Sequence, residues 1–304
     1  MQIGLYVVLT DASMQVTTLA QAIEARGFDS MWVPEHSHIP TTGSTPYPGR
    51  GPVTKDFART LDPFVALTAA ASVTTTLKLG TGICLLMQRD TIHTAKTVAT
   101  LDHLSGGRVL FGVGGGWNRP EMENHGTAYA TRFQKLEEQL QALRLIWGEE
   151  EAEFHGRHVQ FGPMWCWPKP AAQPPIFIGG ETDHTLRRIV RYGDGWLPRV
   201  RDPAMVLAGI AKLRGLARAA GRAEDSIAIS AFGLPAQEDA IAPFRDAGVG
   251  RAIIALAPGP ADDTMRRLDR YATFVRGWCG TVRPQKRRAR SGLMLSQQRR
   301  IGSR

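Results

Sequence analysis

Glu35 and His36 close the run SMWVPEH at 30–36 and are the residues of this chain best suited to chemistry. A carboxylate beside an imidazole can take up or release a proton near neutral pH. An apolar run ends directly before the pair, and the carboxyl end of a strand is where parallel α/β proteins hold ligands. Four further runs end in the same manner: LGTGICLL (79–86), GGRVLFGVGGGWN (106–118), PPIFIGG (174–180) and GDGW (193–196). In the first of these, Thr81, Gly82 and Ile83 form a tight strand end that can press on one face of a planar cofactor. Gly114, Gly115 and Gly116 are consecutive, an entropic cost that close passage of a ring or its chain would justify. Trp117 suits a pocket wall, and Asn118 suits a hydrogen bond to a ligand amide or hydroxyl. Gly179 and Gly180 precede a helical pattern whose free amides offer a seat for phosphate, with Asp183 where an N-cap is expected. Glu121 and Glu123 read equally well as a general acid or as a solvated helix start. His38 reads as facing solvent, and Cys84, with no base near it in sequence, reads as packing.

These residues need elements to carry them. Strand patterns lie at 2–8, 29–33, 78–84, 108–113, 175–179, 195–198, 226–232 and 251–256. Helical patterns lie between them, near 14–26, 61–75, 91–104, 131–147, 183–192, 203–220, 238–247 and 261–276. Phe133, Leu136, Leu140 and Leu143 make one helical stripe, and Met265, Leu268, Ala272 and Val275 another. VLFGVG and AIIALA are apolar almost throughout, as strands of a helix-covered parallel sheet are. Eight strand–helix units predict a (β/α)8 barrel with insertions after strands 2 and 4. No GxGxxG follows the first strand, which leaves a dinucleotide-binding open sheet the weaker reading. The insertion at 37–60 would lie over the active face, and 149–174 reads as a hairpin or extended loop.

Composition bounds the rest. The chain has 304 residues, 43% hydrophobic, with three scattered cysteines and no CxxC. That argues against a disulfide framework or a zinc site, and no bound metal is expected. IGLYVVL reads as a first strand rather than a leader, no run is long enough for a membrane span, and a cytoplasmic location is expected. The net charge of +9 is concentrated at the end: 283–304 carry eight Arg/Lys and no acid, and subtracting those eight leaves +1 for the rest. The reading is a barrel over 1–280 and a basic, disordered tail over 281–304. A nucleic-acid partner is not expected beyond non-specific contacts of that tail.

The ordered set W-V-P-E-H, L-G-T-G, L-S-G-G-R-V-x-F-G-V-G-x-G-W-N, P-x-x-I-G-G and G-D-G-W-L-P resembles the luciferase-like monooxygenase superfamily, in its branch using coenzyme F420, an 8-hydroxy-5-deazaflavin. The resemblance covers roughly 1–277. It implies a homodimeric barrel oxidoreductase passing hydride between coenzyme F420 and a small-molecule substrate. It places Glu35 and His36 by the reactive ring, with Glu35 orienting His36. It implies a cis peptide at Gly82–Ile83, a glycine loop beside the tricycle and Gly179 and Gly180 near the phosphate. An FMN-dependent monooxygenase and a flavin-binding protein without turnover are the alternatives.

Overall fold

The computed structural model describes residues 1–43, 55–200 and 202–279, the last four by backbone alone. Eight parallel strands close into a barrel. They are β1 (Gln2–Val7), β2 (Ser30–Val33), β3 (Lys78–Thr81), β4 (Val109–Val113), β7 (Ile176–Gly179), β8 (Gly195–Leu197), β9 (Ala228–Leu234) and β10 (Arg251–Leu256). β5 (Glu151–His155) and β6 (Gln160–Trp165) form an antiparallel hairpin outside the barrel, within the expected insertion at 149–174. Around the barrel run α1 (Val16–Ala25), α2 (Pro63–Ala71), α3 (Thr91–Ser105), α5 (Arg132–Gly148), α6 (Asp183–Tyr192), α7 (Pro203–Ala219), α8 (Glu238–Asp246) and α9 (Ala261–Cys279), and the short α4 (Arg119–Asn124) follows β4. Each expected strand and helix is present. The basic tail and 44–54 of the first insertion lie outside the described residues. Among the described residues no helix is long and apolar enough to cross a membrane.

Local chemistry sets the boundaries. Asp62 caps α2 by accepting from the amides of Phe64 and Val65, and Pro63 occupies the first turn, where no donor is missed. Asp90 caps α3 through the His93 amide, and Gly106 ends that helix in the left-handed conformation at φ 68°. α5 buries Leu136, Leu140 and Leu143 of its expected stripe, with Gln139 beside them. Its Glu138 also accepts the amides of Arg157, His158 and Val159, which fastens the hairpin turn to the barrel.

Trp32, Leu110, Phe177, Leu197 and Ile253 form a separate buried cluster of strand residues. At the amino-terminal ends of the strands, Arg251 bonds Asp29 (2.6 Å), Ser230 (3.2 Å) and Gln2 (2.8 Å). The opposite end is left for the site.

Gly112 fixes the spacing of β3 and β4. A Cβ there would lie 2.0 Å from the Thr81 carbonyl oxygen. That approach also lets Thr81 Oγ1 and the Cys84 amide both donate to Gly112 O at 2.7 Å. Gly112→Ala should therefore lower the unfolding free energy in urea by about 1–3 kcal/mol, toward the upper end because the opposing atom is backbone. An unchanged urea midpoint would show that the two strands can part without cost.

Candidate active site

The glycine-rich strand ends converge at one end of the barrel. Ile83, just after β3, is their meeting point: a Cβ on Gly114 would fall 2.2 Å from Ile83 Cδ1, and one on Gly179 would fall 3.3 Å from Ile83 Cγ2. Gly82 faces the Phe232 ring of β9 in the same way, at 2.9 Å. The Gly82–Ile83 peptide is cis. These contacts also revise the reason for the glycines. Gly114 makes room for Ile83 and Gly115 for the Phe133 ring of α5, 2.2 Å from where a Cβ would stand, so the protein itself fills much of the space. Gly116 is needed for its left-handed backbone, φ 62°.

His36 and Glu35 part company after β2. Glu35 turns inward: its carboxylate accepts from the Leu85 amide at 2.6 Å and from Arg89 Nε at 2.5 Å, and Arg89 continues to Asp62 at 2.6 Å. Its partners are structural groups, and Glu35 is not the residue on His36. Burial opposes the Arg89 charge, but Glu35 and its neighbours outweigh this and hold the guanidinium above its ordinary basicity. Cys84 is fully buried here; burial, then the Glu35 charge, pushes its thiol well above the ordinary range. That agrees with a packing role. Lys135 holds the Met87 carbonyl, and Gln139 holds those of Leu86 and Arg89, so α5 fixes the segment that bears Arg89.

The carboxylate on His36 comes from α4. Glu121 Oε2 lies 2.8 Å from His36 Nδ1, and Oε1 accepts the Ser37 amide at 3.2 Å. The Glu121 side chain is 0% exposed and that of His36 7%. An ionised carboxylate at Nδ1 fixes the tautomer, placing the ring proton on Nδ1 and the lone pair on Nε2. Phe57, Trp117 and His36 meet edge to face, with centroids 5.3–6.2 Å apart. The sequence offered Glu121 only as one of two equal candidates, and no residue pattern ties it to a histidine 85 positions away.

Asn118 is buried, and neither its amide nitrogen nor its carbonyl oxygen finds a partner. Folding rarely leaves such a group unpaired. Near Gly115, Arg132 and Arg188 place their guanidinium carbons 4.3 and 4.1 Å from the Phe133 ring centroid. Arg188 pairs with Glu137 at 2.7 Å, whereas Arg132 Nε is buried without a partner. Burial, reinforced by the Arg188 charge, lowers the basicity of Arg132 although Tyr129 opposes it. Beyond β7, Gly180 has φ 116° and its carbonyl accepts from Trp196 Nε1 at 2.8 Å. Thr182, not Asp183, caps α6 by accepting the Thr185 amide, and Asp183 pairs with Lys212. The side chain that caps is the one just before the first helical residue, which displaces the N-cap by one position. His38 is half-buried, and its hydrogen bonds to Ser37 and Asn124 lie at the exposed surface. Among the described residues no group of three or more His, Cys, Asp or Glu is arranged to hold a metal ion.

A family model described as luciferase-like monooxygenase matches residues 8–301. A Mycobacterium tuberculosis protein described as uncharacterized is 37% identical over 278 residues, covering 90% of this chain and 98% of its own. The F420-dependent hydroxymycolic acid dehydrogenase of M. tuberculosis is 29% identical over 227 residues, covering 72% of this chain and 59% of its own. The crystal structure of monooxygenase RslO1 from Streptomyces bottropensis superposes with a TM-score of 0.72 over 91% of this chain and 99% of that one, at 19% identity, a shared fold.

Proposed function

The chain belongs to the luciferase-like monooxygenase family, and from that membership we propose that it is an oxidoreductase moving hydride between coenzyme F420 and a small organic substrate. The observation that carries this reading is the buried His36–Glu121 couple at 2.8 Å. It is a proton-holding group on the face where the glycine-rich strand ends meet. The similarity to an F420-dependent dehydrogenase supports the choice of cofactor. When bound, coenzyme F420 supplies the ring carbon that accepts or donates the hydride.

The residues present fit such a group. Gly82, Ile83, Gly114 and Gly179 make a narrow floor, and Trp117 a wall. Asn118 keeps both a donor and an acceptor for the amide edge of a ring. Arg132, with its unpaired Nε, and the Gly179–Gly180 turn before α6 are suited to the anionic end. The rest is the work of this chain's own side chains. Glu121 holds Nδ1, so Nε2 is the atom that takes a proton from an alcohol or returns one to a carbonyl oxygen. As Nε2 gains a proton, the Glu121 carboxylate stabilises the imidazolium in a site where solvent screens little. Phe57 and Trp117 keep water from the ring edge.

Fluorescence titration with oxidised coenzyme F420 tests the reading, with binding expected at micromolar cofactor. Asn118→Leu separates ligand from packing. Removing an unpaired buried amide should stabilise the cofactor-free chain by about 1–3 kcal/mol, and the same change should weaken cofactor binding about tenfold or more. A variant that is less stable, or that binds equally well, counts against this role for Asn118. Tight binding of reduced FMN with none of coenzyme F420 would favour an FMN-dependent monooxygenase, the reading suggested by the family's own description.

A further inference from the structure

A cavity of about 470 Å³ lies on the outside of the barrel, between the carboxyl-terminal ends of α5 and α6 and the β5–β6 hairpin. Asp194 lines it and marks its level. The Asp194 carboxylate holds the amide of Ile176, the first residue of β7, at 2.8 Å, and β8 begins at the next residue. The cavity therefore sits at the amino-terminal ends of the strands, whereas the candidate active site sits at their carboxyl ends. Its volume is in the range that takes a small organic molecule. Leu145, Phe154 and Tyr192, none of them fully buried, give it apolar walls. Phe154 is held in place from two sides: it stacks on Phe161, with centroids 6.3 Å apart, and Glu138 fastens the hairpin turn beyond it.

Three arginines and one acid line the same space. Arg144 bonds Asp194 at 2.5 Å and Gln173 at 3.0 Å, so that cation and that anion answer each other. Arg222 is anchored by one nitrogen only. Its Nη1 donates to the carbonyls of Ile189, Val190 and Gly193 at 3.3, 2.8 and 3.1 Å, which closes the end of α6. Its Nε and Nη2 have no partner among the described residues. Arg191 rests over the Tyr192 ring, 5.0 Å from its centroid, and has no carboxylate among the described residues. The formal balance of the lining is +2. The partial negative charge at the end of α6 offsets some of the Arg222 charge, so the uncompensated remainder is small. Guanidinium groups already fixed by other contacts lose little further freedom when they meet a planar, two-oxygen anion.

We propose that this cavity is a second ligand site, which takes a small aromatic carboxylate. The ring lies against Phe154 and Tyr192, and the carboxylate meets Arg191 and the open edge of Arg222. Charge selects the class. A monoanion answers the small positive remainder, whereas a phosphate ester, with two negative charges, would leave part of its own charge unmatched beside Asp194. An uncharged ring compound would strip water from the two guanidinium groups and offer them nothing in return. Shape selects the ring, since a bare inorganic anion leaves the apolar walls uncovered. The site lies at the other end of the barrel from His36 and Asn118, and it stands whether or not the reading of those residues does.

The test is a methyl NMR titration of the full-length protein, labelled at its leucine methyl groups, with sodium naphthoate. Saturable shifts at Leu140 and Leu145, which line the cavity, are expected at about millimolar probe. Naphthalenemethanol, which has the ring without the charge, should bind at least about tenfold more weakly, and so should inorganic phosphate, which has charge without a ring. Arg191→Glu should weaken naphthoate at least about tenfold. The same variant should leave the fluorescence titration with coenzyme F420 unchanged, because Arg191 lies in the last turn of α6, away from the rim. Phosphate or the alcohol binding as tightly as naphthoate overturns the assignment to an aromatic carboxylate. Shifts confined to leucines at the rim, such as Leu85, or no saturation at about ten times the expected concentration, overturn the site. If Arg191→Glu fails to fold, the contrast among the three probes on the native chain decides. Absence of coenzyme F420 binding alongside saturation at Leu140 and Leu145 would remove the proposed function and leave this site standing.

Discussion

A His36→Ala chain is expected to bind coenzyme F420 within about threefold of the native affinity and to turn over its substrate about 10²–10⁴ times more slowly, the usual contribution of a positioned proton-transfer group. The small binding effect follows from the proposed seat of the cofactor on Ile83 and the glycines packed against it, which does not include His36. The large rate effect follows from the burial of the couple: with Nε2 gone, the described groups leave the substrate oxygen no other proton acceptor held by a carboxylate at 2.8 Å. Glu121→Gln should fall between the two. The amide oxygen can still accept from Nδ1 and keep the tautomer, but a neutral partner no longer stabilises the imidazolium. Steady-state kinetics on any alcohol or carbonyl compound that a screen yields will check both variants. Native turnover by His36→Ala would remove the imidazole from the mechanism.

Arg89→Ala is expected to have the largest effect on stability, about 3–5 kcal/mol in urea or guanidinium unfolding. Arg89 is the cation on Glu35, a side chain only 6% exposed, and without it that carboxylate keeps only neutral partners, the Leu85 amide and the Cys84 thiol. Glu35→Gln should cost much less. It leaves Arg89 paired with Asp62, itself 44% exposed, and retains an acceptor for Leu85. The asymmetry is the measurable point, because a buried charge left unmatched costs more than a pair neutralised on one side. A double Glu35→Leu/Arg89→Leu variant should therefore lose less than the sum of its single changes, a coupling that a double-mutant cycle reads directly. Equal losses from Arg89→Ala and Glu35→Gln would mean that Glu35 is not held as a charged group.

Most of the fold was legible because its signals are local. Apolar runs marked the barrel strands, five of them bounded by glycine or ionisable residues, stripes such as Phe133, Leu136, Leu140 and Leu143 marked helices between, and the hairpin sat where 149–174 broke the period. The place of the site was legible for the same reason, since strand ends point to one rim. Its wiring was not. Glu35 and His36 are neighbours in sequence, but successive residues beyond a strand face opposite ways. Glu35 therefore meets Arg89, and His36 meets Glu121. Glu121 sits in a six-residue helix too short for a hydrophobic period, and its burial depends on a contact between segments that close only when the barrel does. Asn118 was legible as a polar residue in a suggestive place; that it is sealed and unpartnered is a property of packing. The glycines were read as making room for a ligand, yet at 114 and 115 they make room first for Ile83 and Phe133.

The pairing of β1 with β10, from Gln2 against Arg251 to Val7 against Leu256, has a bearing on how the chain is made. β1 waits for a partner synthesised some 250 residues later, about 12 to 50 seconds at elongation rates of 5–20 residues per second. During that interval the growing sheet has an open, apolar edge, and such edges recruit other chains. The ring of strands can therefore close only once β10 has been made, and until then the outer edge of β1 has no strand to cover it.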